Sequence, residues 1–365
     1  MMKNTFGESL GVTIFGESHG AAIGAVLDGL ASGIPVDEEL IEKRLSQRRP
    51  RGIISTARRE ADKFRIISGV YQGRTTGTPL CIEIENSDTR SADYTSGATL
   101  ARPGHADYSA QMRYRGYQDI RGGGHFSGRL TAAVVAAGAI VERALDDRGI
   151  AVGTHILSLG GIDDDAFSSE PTEQIEVLKE SDFPTLSRGA GKQMQEKILS
   201  AREETDSIGG KTQTAVTGIP AGVGEPFFDT AEGIISHAIF AIPAIKGIEF
   251  GAGFAFCRMR GSEANDAFYS AEGKIYTKTN NNGGINGGIT NGMPISFSCA
   301  VKPTPSIARA QNTVNYITGE EAVLAIHGRH DPCIVHRACP VISAMTELVI
   351  YDMLACRYGS DYFSY

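Results

Sequence analysis

The chain predicts an α+β fold or a layered α/β sandwich, formed as one large domain over residues 1–365. Three observations carry this expectation. Strand-like and helix-like apolar patterns mix along the chain without the regular βα alternation of a parallel sheet. The 365 residues can bury a full core, yet no Pro/Ser-rich linker and no fixed short repeat divides them. The segment Thr131 to Leu145 is rich in Ala and other apolar residues, as a buried helix is.

Taken in order, Val12-Thr-Ile-Phe15 reads as a strand entering a glycine turn, and Ile23 to Leu27 is a second short apolar run. Val36 to Gln47 has helical spacing, with Asp37 as N-cap and Leu40, Ile41 and Leu45 on one face. Arg65 to Val70 and Pro79 to Ile84 read as strands. The helix of Thr131 to Leu145 starts just after Ser127-Gly-Arg129, where free backbone N–H groups and the positive helix end suit an anion. Thr212 to Gly218 and Ile248 to Phe256 alternate like strands, and Thr230 to Ile242 has helical spacing. Asn280 to Gly292 holds five Gly and five Asn in thirteen residues; apolar Ile285 and Ile289 inside it favour an ordered loop wrapped on a ligand over a linker.

Composition narrows the function. The N-terminus lacks an apolar signal-peptide core, and the apolar run from Ala132 to Val141 is too short to span a bilayer, so the expectation is a soluble cytoplasmic protein without a membrane partner. Six scattered cysteines without a C-x-x-C pair indicate reduced thiols rather than a zinc cage or a disulfide scaffold. Net charge is −8, of which Asp163 to Asp206 supplies −7 through 12 acidic and 5 basic residues. Elsewhere Lys43 to Arg65 carries nine Lys/Arg against Glu60 and Asp62, and Arg102 to Arg129 carries five arginines against two aspartates. Such runs suit carboxylate and phosphate. A pI of about 5.6 with no Trp and no zinc-finger or RNP pattern argues against nucleic acid and for a small polyanion.

Both basic runs touch histidine motifs. Four of the eight histidines sit in Gly16-Glu-Ser-His-Gly20, Arg102-Pro-Gly-His-Ala-Asp107, Gly122-Gly-Gly-His-Phe-Ser-Gly-Arg129 and Gly328-Arg-His-Asp-Pro-Cys333. Glycine brings backbone close to a bound group, and imidazole beside guanidinium serves an anionic substrate that exchanges a proton. A single Gly-flanked histidine is more often a turn or core residue; four together indicate a site. The first motif also matches G-x-S-x-G, the nucleophile elbow of serine hydrolases, although too few residues precede it for the strands and oxyanion loop of that fold. A metal-dependent phosphatase is a third reading. The surrounding arginines oppose a divalent cation, and no metal site is expected.

In this order the motifs resemble the chorismate synthase family. Besides the histidine motifs, the resemblance rests on Arg48-Arg49-Pro50, Gly73-Arg-Thr-Thr-Gly-Thr78, Asp206-Ser-Ile-Gly-Gly210, Gly218-Ile-Pro-Ala-Gly222, Ile245-Lys-Gly-Ile248, Gly283-Gly-Ile-Asn-Gly-Gly-Ile-Thr-Asn-Gly292 and Lys302-Pro-Thr-Pro-Ser306. The chain departs from the family pattern at Ala31 (usually Pro), at Gln47 in place of an Arg, at His125-Phe-Ser-Gly-Arg129, and at Ser343 (usually Glu).

The resemblance implies a layered β-α-β sandwich, a homotetramer, and the 1,4-anti elimination of phosphate from 5-enolpyruvylshikimate 3-phosphate to give chorismate. It also implies reduced FMN, required but not consumed, and leaves NADPH as an indirect reductant. In the family mechanism the flavin lends an electron as phosphate departs. By position, His19 resembles the general acid near the leaving phosphate and His105 the imidazolium beside the flavin. Ser18 and Asp331 resemble the pair relaying a proton at the flavin. Arg48, Arg49, Arg102, Arg129 and Arg329 are the expected substrate cations. His125, Phe126, Ser127, Pro243, Ala244, Gly287, Lys302, Pro303, Thr304, Pro305, Ser306 and Arg329 match FMN-contacting segments.

Overall fold

Alternating burial folds the first part of the chain into an antiparallel sheet. In a computed structural model describing residues 4–56, 61–87, 99–326 and 331–365, the strands Thr5–Phe6, Gly11–Gly16, Ala22–Asp28, Leu80–Glu85 and Phe64–Ser68 lie side by side in that order. Ile23, Ala25 and Leu27 face Ile84, Ile82 and Leu80 across one strand pair, and all six are fully buried. These cross-strand pairs fix the register, because a one-residue slip would turn the whole apolar set to the other face. A second antiparallel sheet runs in the order Ile245–Phe250, Ile295–Val301, Gly210–Thr217, Ala151–Leu159 and Ile162–Asp163.

The described helices are α1 (Glu38–Arg48), α2 (Asp107–Tyr114), α3 (Thr131–Asp146), α4 (Thr172–Lys179), α5 (Arg188–Glu203), α6 (Ala231–Ile239), α7 (Gly261–Ala264) and α8 (Val335–Tyr358). Two of them bridge the sheets. Helix α3 packs on Ala22–Asp28 and Leu80–Glu85 of the first sheet and against α1 and α8, while α8 packs on Ala151–Leu159 and Gly210–Thr217 of the second. The result is the expected β-α-β sandwich. Its main apolar core runs continuously from Leu10 to Phe363.

Sequence explains the central layer. Helix α3 is buried at nearly every position, which an Ala-rich segment permits because small side chains let helices approach on all sides. At Gly138 a Cβ would stand 2.5 Å from the Cβ of Ala344, so glycine sets how closely α3 and α8 cross. Helix α8 is long and apolar enough to span a membrane, but 83% of its most apolar stretch is buried inside the fold, as in a core helix. The acidic segment 163–206 forms α4 and α5. Ile175 of α4 packs with Ala151, Ala215 and Phe167 in a small cluster separate from the main core.

Two local expectations change. The strand read over Ile248 to Phe256 stops at Phe250; Gly251, at φ +53°, turns the chain, and a 3-10 segment follows over Gly253–Arg258. The Glu249 carboxylate accepts the Phe254 N–H at 3.1 Å and holds this turn. The Asn280 to Gly292 segment is ordered, and hydrogen bonds hold it: Asp266 accepts the N–H groups of Asn281 and Asn282, and Asn280 accepts that of Gly284. It forms a short hairpin, Ile285–Asn286 with Ile289–Thr290, that presents Gly287 at its exposed tip.

Candidate active site

The start of α3, the start of α8 and the end of α1 converge on a cavity of about 1100 Å³. Helix starts offer unpaired N–H groups and a positive field, so this convergence favours anions. The lining brings six Lys/Arg side chains (Arg48, Arg102, Arg129, Lys246, Lys302, Arg337) together with four carboxylates (Asp62, Asp107, Asp119, Asp331) and the imidazoles of His19, His105, His125 and His237. Among the described residues the walls are therefore cationic in balance, with carboxylates set among the cations.

One wall is organised around Asp62. Arg129 donates to its Oδ1, while Arg48 Nη1 and Arg49 Nε lie 3.5 and 3.3 Å from its Oδ2. Burial pushes the Asp62 carboxyl up, but the charges of Arg48, Arg129 and Arg49 hold it below its ordinary value. The guanidiniums are held from other sides too. Arg48 donates to Thr131 Oγ1 at 2.9 Å and to the Gly128 carbonyl at 3.0 Å, and Arg129 donates to Asn86 Oδ1 at 2.9 Å.

A second wall repeats this design at the start of α2. Asp107 accepts from Arg102 Nη2 at 2.6 Å, from Arg102 Nε at 2.7 Å and from the Arg102 backbone N–H at 2.9 Å. Its Oδ1 also lies 2.8 Å from His105 Nδ1, closer than Arg102 Nη2 at 3.1 Å, and since a carboxylate only accepts, we assign the proton to Nδ1 on this shorter contact. Burial opposes the Asp107 charge, and the bonds from Arg102 and His105 overcome it, so this carboxyl lies far below the usual carboxylate range.

His19 and Ser18 follow the strand Gly11–Gly16 in a turn. Ser18 Oγ is 3.1 Å from His19 Nδ1 and 3.3 Å from the Arg121 carbonyl. Gly122 closes over them at φ +63°: a Cβ there would fall 2.1 Å from His19 Cε1 and 2.3 Å from Nδ1. His125 donates Nδ1–H to the Gly16 carbonyl at 2.8 Å, which ties the HFSGR turn to the same strand end. Phe126, half exposed, packs edge-on against Tyr114.

Opposite, Asp331 precedes α8 and accepts from Arg337 at 2.5 Å and from the Thr56 N–H at 2.8 Å. Arg337 also donates to the Arg48 carbonyl at 2.9 Å, joining this corner to the arginine wall. Pro243, Ala244, Thr304, Pro305 and Ser306 complete the lining, with Lys246 and Lys302 beside them. Lys302 donates to the Gly104 carbonyl at 2.5 Å; burial and then the charge of Lys246 lower its pKa.

The structure thus gathers at one cavity His19, His105, His125, Phe126, Ser127, Arg48, Arg102, Arg129, Pro243, Ala244, Lys302, Thr304, Pro305, Ser306 and Asp331. It does not bring every expected residue there. Ser18 is fully buried beside His19, Arg49 stands behind Asp62, and neither Pro303 nor Gly287, on its hairpin, lines the cavity. Arg329 lies outside the described residues. Asp62, Asp107, Lys246 and Arg337 were not singled out from the sequence. The signal for the first two was present as sparse carboxylates, two in each strongly basic run.

The hydrolase reading loses its geometry. A nucleophile elbow joins a strand to a helix and exposes its serine, whereas Gly16–Gly20 joins two neighbouring strands, Gly11–Gly16 and Ala22–Asp28, and Ser18 is 0% exposed. A second cavity, of about 50 Å³, lies among α1, α3, α4 and α8 and contains none of the expected site residues.

Comparison with known proteins gives the same picture over nearly the whole chain. Residues 10–355 match the family model described as chorismate synthase. Chorismate synthases similar to this chain include that of Methanosarcina mazei, 46% identical over 353 residues, covering 96% of both chains. Those of Methanocella arvoryzae (44% over 359 residues; 97% of this chain, 95% of the relative) and Dehalococcoides mccartyi (45% over 359; 98% of each) are comparably similar. A crystal structure of chorismate synthase superposes with a TM-score of 0.76 at 29% identity, covering 97% of this chain and 94% of that one.

Proposed function

The chain belongs to the chorismate synthase family, a family of carbon–oxygen lyases, and on that premise we propose that its 1100 Å³ cavity binds 5-enolpyruvylshikimate 3-phosphate and eliminates phosphate from it to give chorismate. The observation that carries the assignment to this cavity is the meeting of Arg48, Arg102, Arg129 and Arg337 with His19 and His105 around one space. A substrate with two carboxylates and a phosphate needs several fixed cations, and a departing phosphate needs a proton donor.

Reduced FMN fits the remaining wall. Thr304 Oγ1 is buried without a protein partner, and Lys302 and Lys246 place two ammonium groups close enough to repel, as a phosphate-binding corner does. In our reading Lys302 with Thr304 to Ser306 holds the flavin phosphate, and Pro243, Ala244, His125, Phe126 and Ser127 enclose its ring; Gly287 and Pro303 lie outside this wall. When bound, reduced flavin supplies the electron that makes loss of an unactivated ring hydrogen feasible. His19 then protonates the leaving phosphate. His105, protonated on Nδ1 toward Asp107, presents Nε2 to the flavin side, and Asp331 moves a proton at the cavity's far corner.

We place the enzyme in the cytoplasm as a homotetramer. Phe227, Phe228, Phe254 and Phe268 are 87, 95, 78 and 65% exposed, apolar side chains that other copies of the chain would cover. The test of activity is an anaerobic assay with chemically reduced FMN. Phosphate and chorismate should appear in equal amounts with the flavin still reduced at the end. Turnover unchanged by omitting flavin would overturn the reading. Adding NADPH in place of the chemical reductant decides whether the protein reduces its own flavin.

A further inference from the structure

Three guanidiniums from two separate segments close on a single carboxylate at the edge of the cavity. Arg48 and Arg49 come from the end of α1, Arg129 from the turn before α3, and Asp62 from the short connection leading into Phe64–Ser68. Asp62 is 2% exposed and holds the left-handed conformation, φ +49°, which costs a non-glycine residue energy and persists where surrounding contacts enforce it. A carboxylate used only to staple the fold has no need to face the cavity. Asp62, Arg48 and Arg129 all line it.

We propose that Asp62 is a positioning residue, a built-in counter-anion that holds Arg48 and Arg129, backed by Arg49, as one preset wall and thereby sets the cavity's affinity for the anionic groups of its substrate. The inference rests on the assignment of Arg48 and Arg129 to the substrate. Without a central negative charge the three cations repel, splay toward their outer partners (Asn86, Thr131 and the Gly128 carbonyl), and must be drawn together again at the moment of binding. With it, Arg48 and Arg129 are each fixed on two sides and keep their orientation before the substrate arrives. Asp62 touches no reacting atom in this scheme, so its loss acts on KM.

Asp62→Asn keeps the shape and removes the charge; Asp62→Gly suits the positive φ and opens a space of carboxylate size. Both should raise KM for the substrate about tenfold or more while kcat changes less than about threefold, the pattern of a lost charge pair that governs binding. Millimolar formate should return the KM of Asp62→Gly toward wild type and leave Asp62→Asn unaffected, since only the glycine variant has room for a carboxylate. A merely structural role would lower thermal stability without a formate-dependent KM. Wild-type KM in a folded Asp62→Asn enzyme, or an elevated KM in Asp62→Gly that formate does not lower, overturns the proposal; if the glycine variant does not fold, the asparagine variant decides. Arg48→Ala is measured alongside. Unchanged KM there removes the substrate assignment and this inference together, whereas a raised KM with normal Asp62 variants removes only the role of Asp62.

Discussion

His105 gives its Nδ1–H to Asp107 at 2.8 Å, and the same Asp107 oxygen takes Arg102 Nη2 at 2.6 Å. With Nδ1 committed, Nε2 is the ring atom left to face a ligand, beside Gly123, whose Cβ position would lie 3.5 Å from it. One carboxylate therefore fixes both a cation and a tautomer. In the family assignment that imidazole serves the flavin.

Asp107→Asn should consequently lower kcat by about ten- to a hundredfold, less than the roughly 10²–10⁴ expected of His105→Ala, because the ring remains but its orientation and charge support weaken. The stability side has a definite sign. Asp107 has a depressed folded pKa, so its contribution is present above the unfolded value, near 3.8, and is lost as pH falls through the lower folded value. Thermal melting of wild type and Asp107→Asn should differ most at neutral pH and converge on acidification below about pH 3, given reference carboxylate values. A difference that grew on acidification would contradict the pairing.

Gly122→Ala tests the placement of His19 without touching the histidine. The added methyl would meet the ring at 2.1 Å from Cε1, and φ +63° disfavours any side chain, so the imidazole must move. The loss in kcat should approach the roughly 10²–10⁴ of losing a general acid outright. Circular dichroism should stay native. Wild-type turnover would show that His19 works from another position.

Glu347 supplies a pH dependence of the opposite sign. It is buried in α8 near Glu142 of α3, and burial, followed by the Glu142 charge, raises its carboxyl well above the ordinary value of 4.5 despite Arg44 and Lys179 nearby. A carboxyl raised in the folded state contributes stability that is complete below the unfolded value and is lost as pH rises through the folded one. Glu347→Gln removes the cost of ionisation. Its melting temperature should equal that of wild type near pH 4.5 and exceed it increasingly toward neutral and alkaline pH; an unchanging difference across that range would show that Glu347 does not titrate there.

Local sequence signals were legible where they act locally. Asp37 does cap α1, accepting the Leu40 N–H at 2.9 Å, and the Ala-rich run does become α3. The motifs around His19, His105 and His125 line one cavity. What the sequence concealed were relations between distant segments. Asp62 lies 14 residues from Arg48 and 67 from Arg129, so a basic run that reads as open anion-binding charge is in fact partly neutralised from within. Arg337 sits in an apolar helix whose pattern reports only packing. Gly287 lies outside the lining of this cavity, on a loop whose order comes from Asp266 and Asn280, a relation its glycine-rich motif does not display.

Ser18 shares a hydrogen bond with His19 at 3.1 Å and none with Asp331, which is held instead by Arg337 and the Thr56 N–H. This redirects the proton relay expected of Ser18 and Asp331. If Ser18 acts by orienting His19, then Ser18→Ala and His19→Ala touch one unit, and the double variant should turn over little more slowly than the poorer single one. Asp331→Asn retains an acceptor for Thr56 but loses the ion pair with Arg337, and should lower kcat while substrate and FMN still bind. Combined with Ser18→Ala its loss should multiply, because groups without a shared partner act independently. Single-turnover kinetics on the three single and two double variants separate the schemes. Strong non-additivity between Ser18→Ala and Asp331→Asn would mean that the two groups meet only when the cavity is filled, and would restore the relay between them; near wild-type kcat for Asp331→Asn would leave that carboxylate the task of anchoring Arg337 and the start of α8.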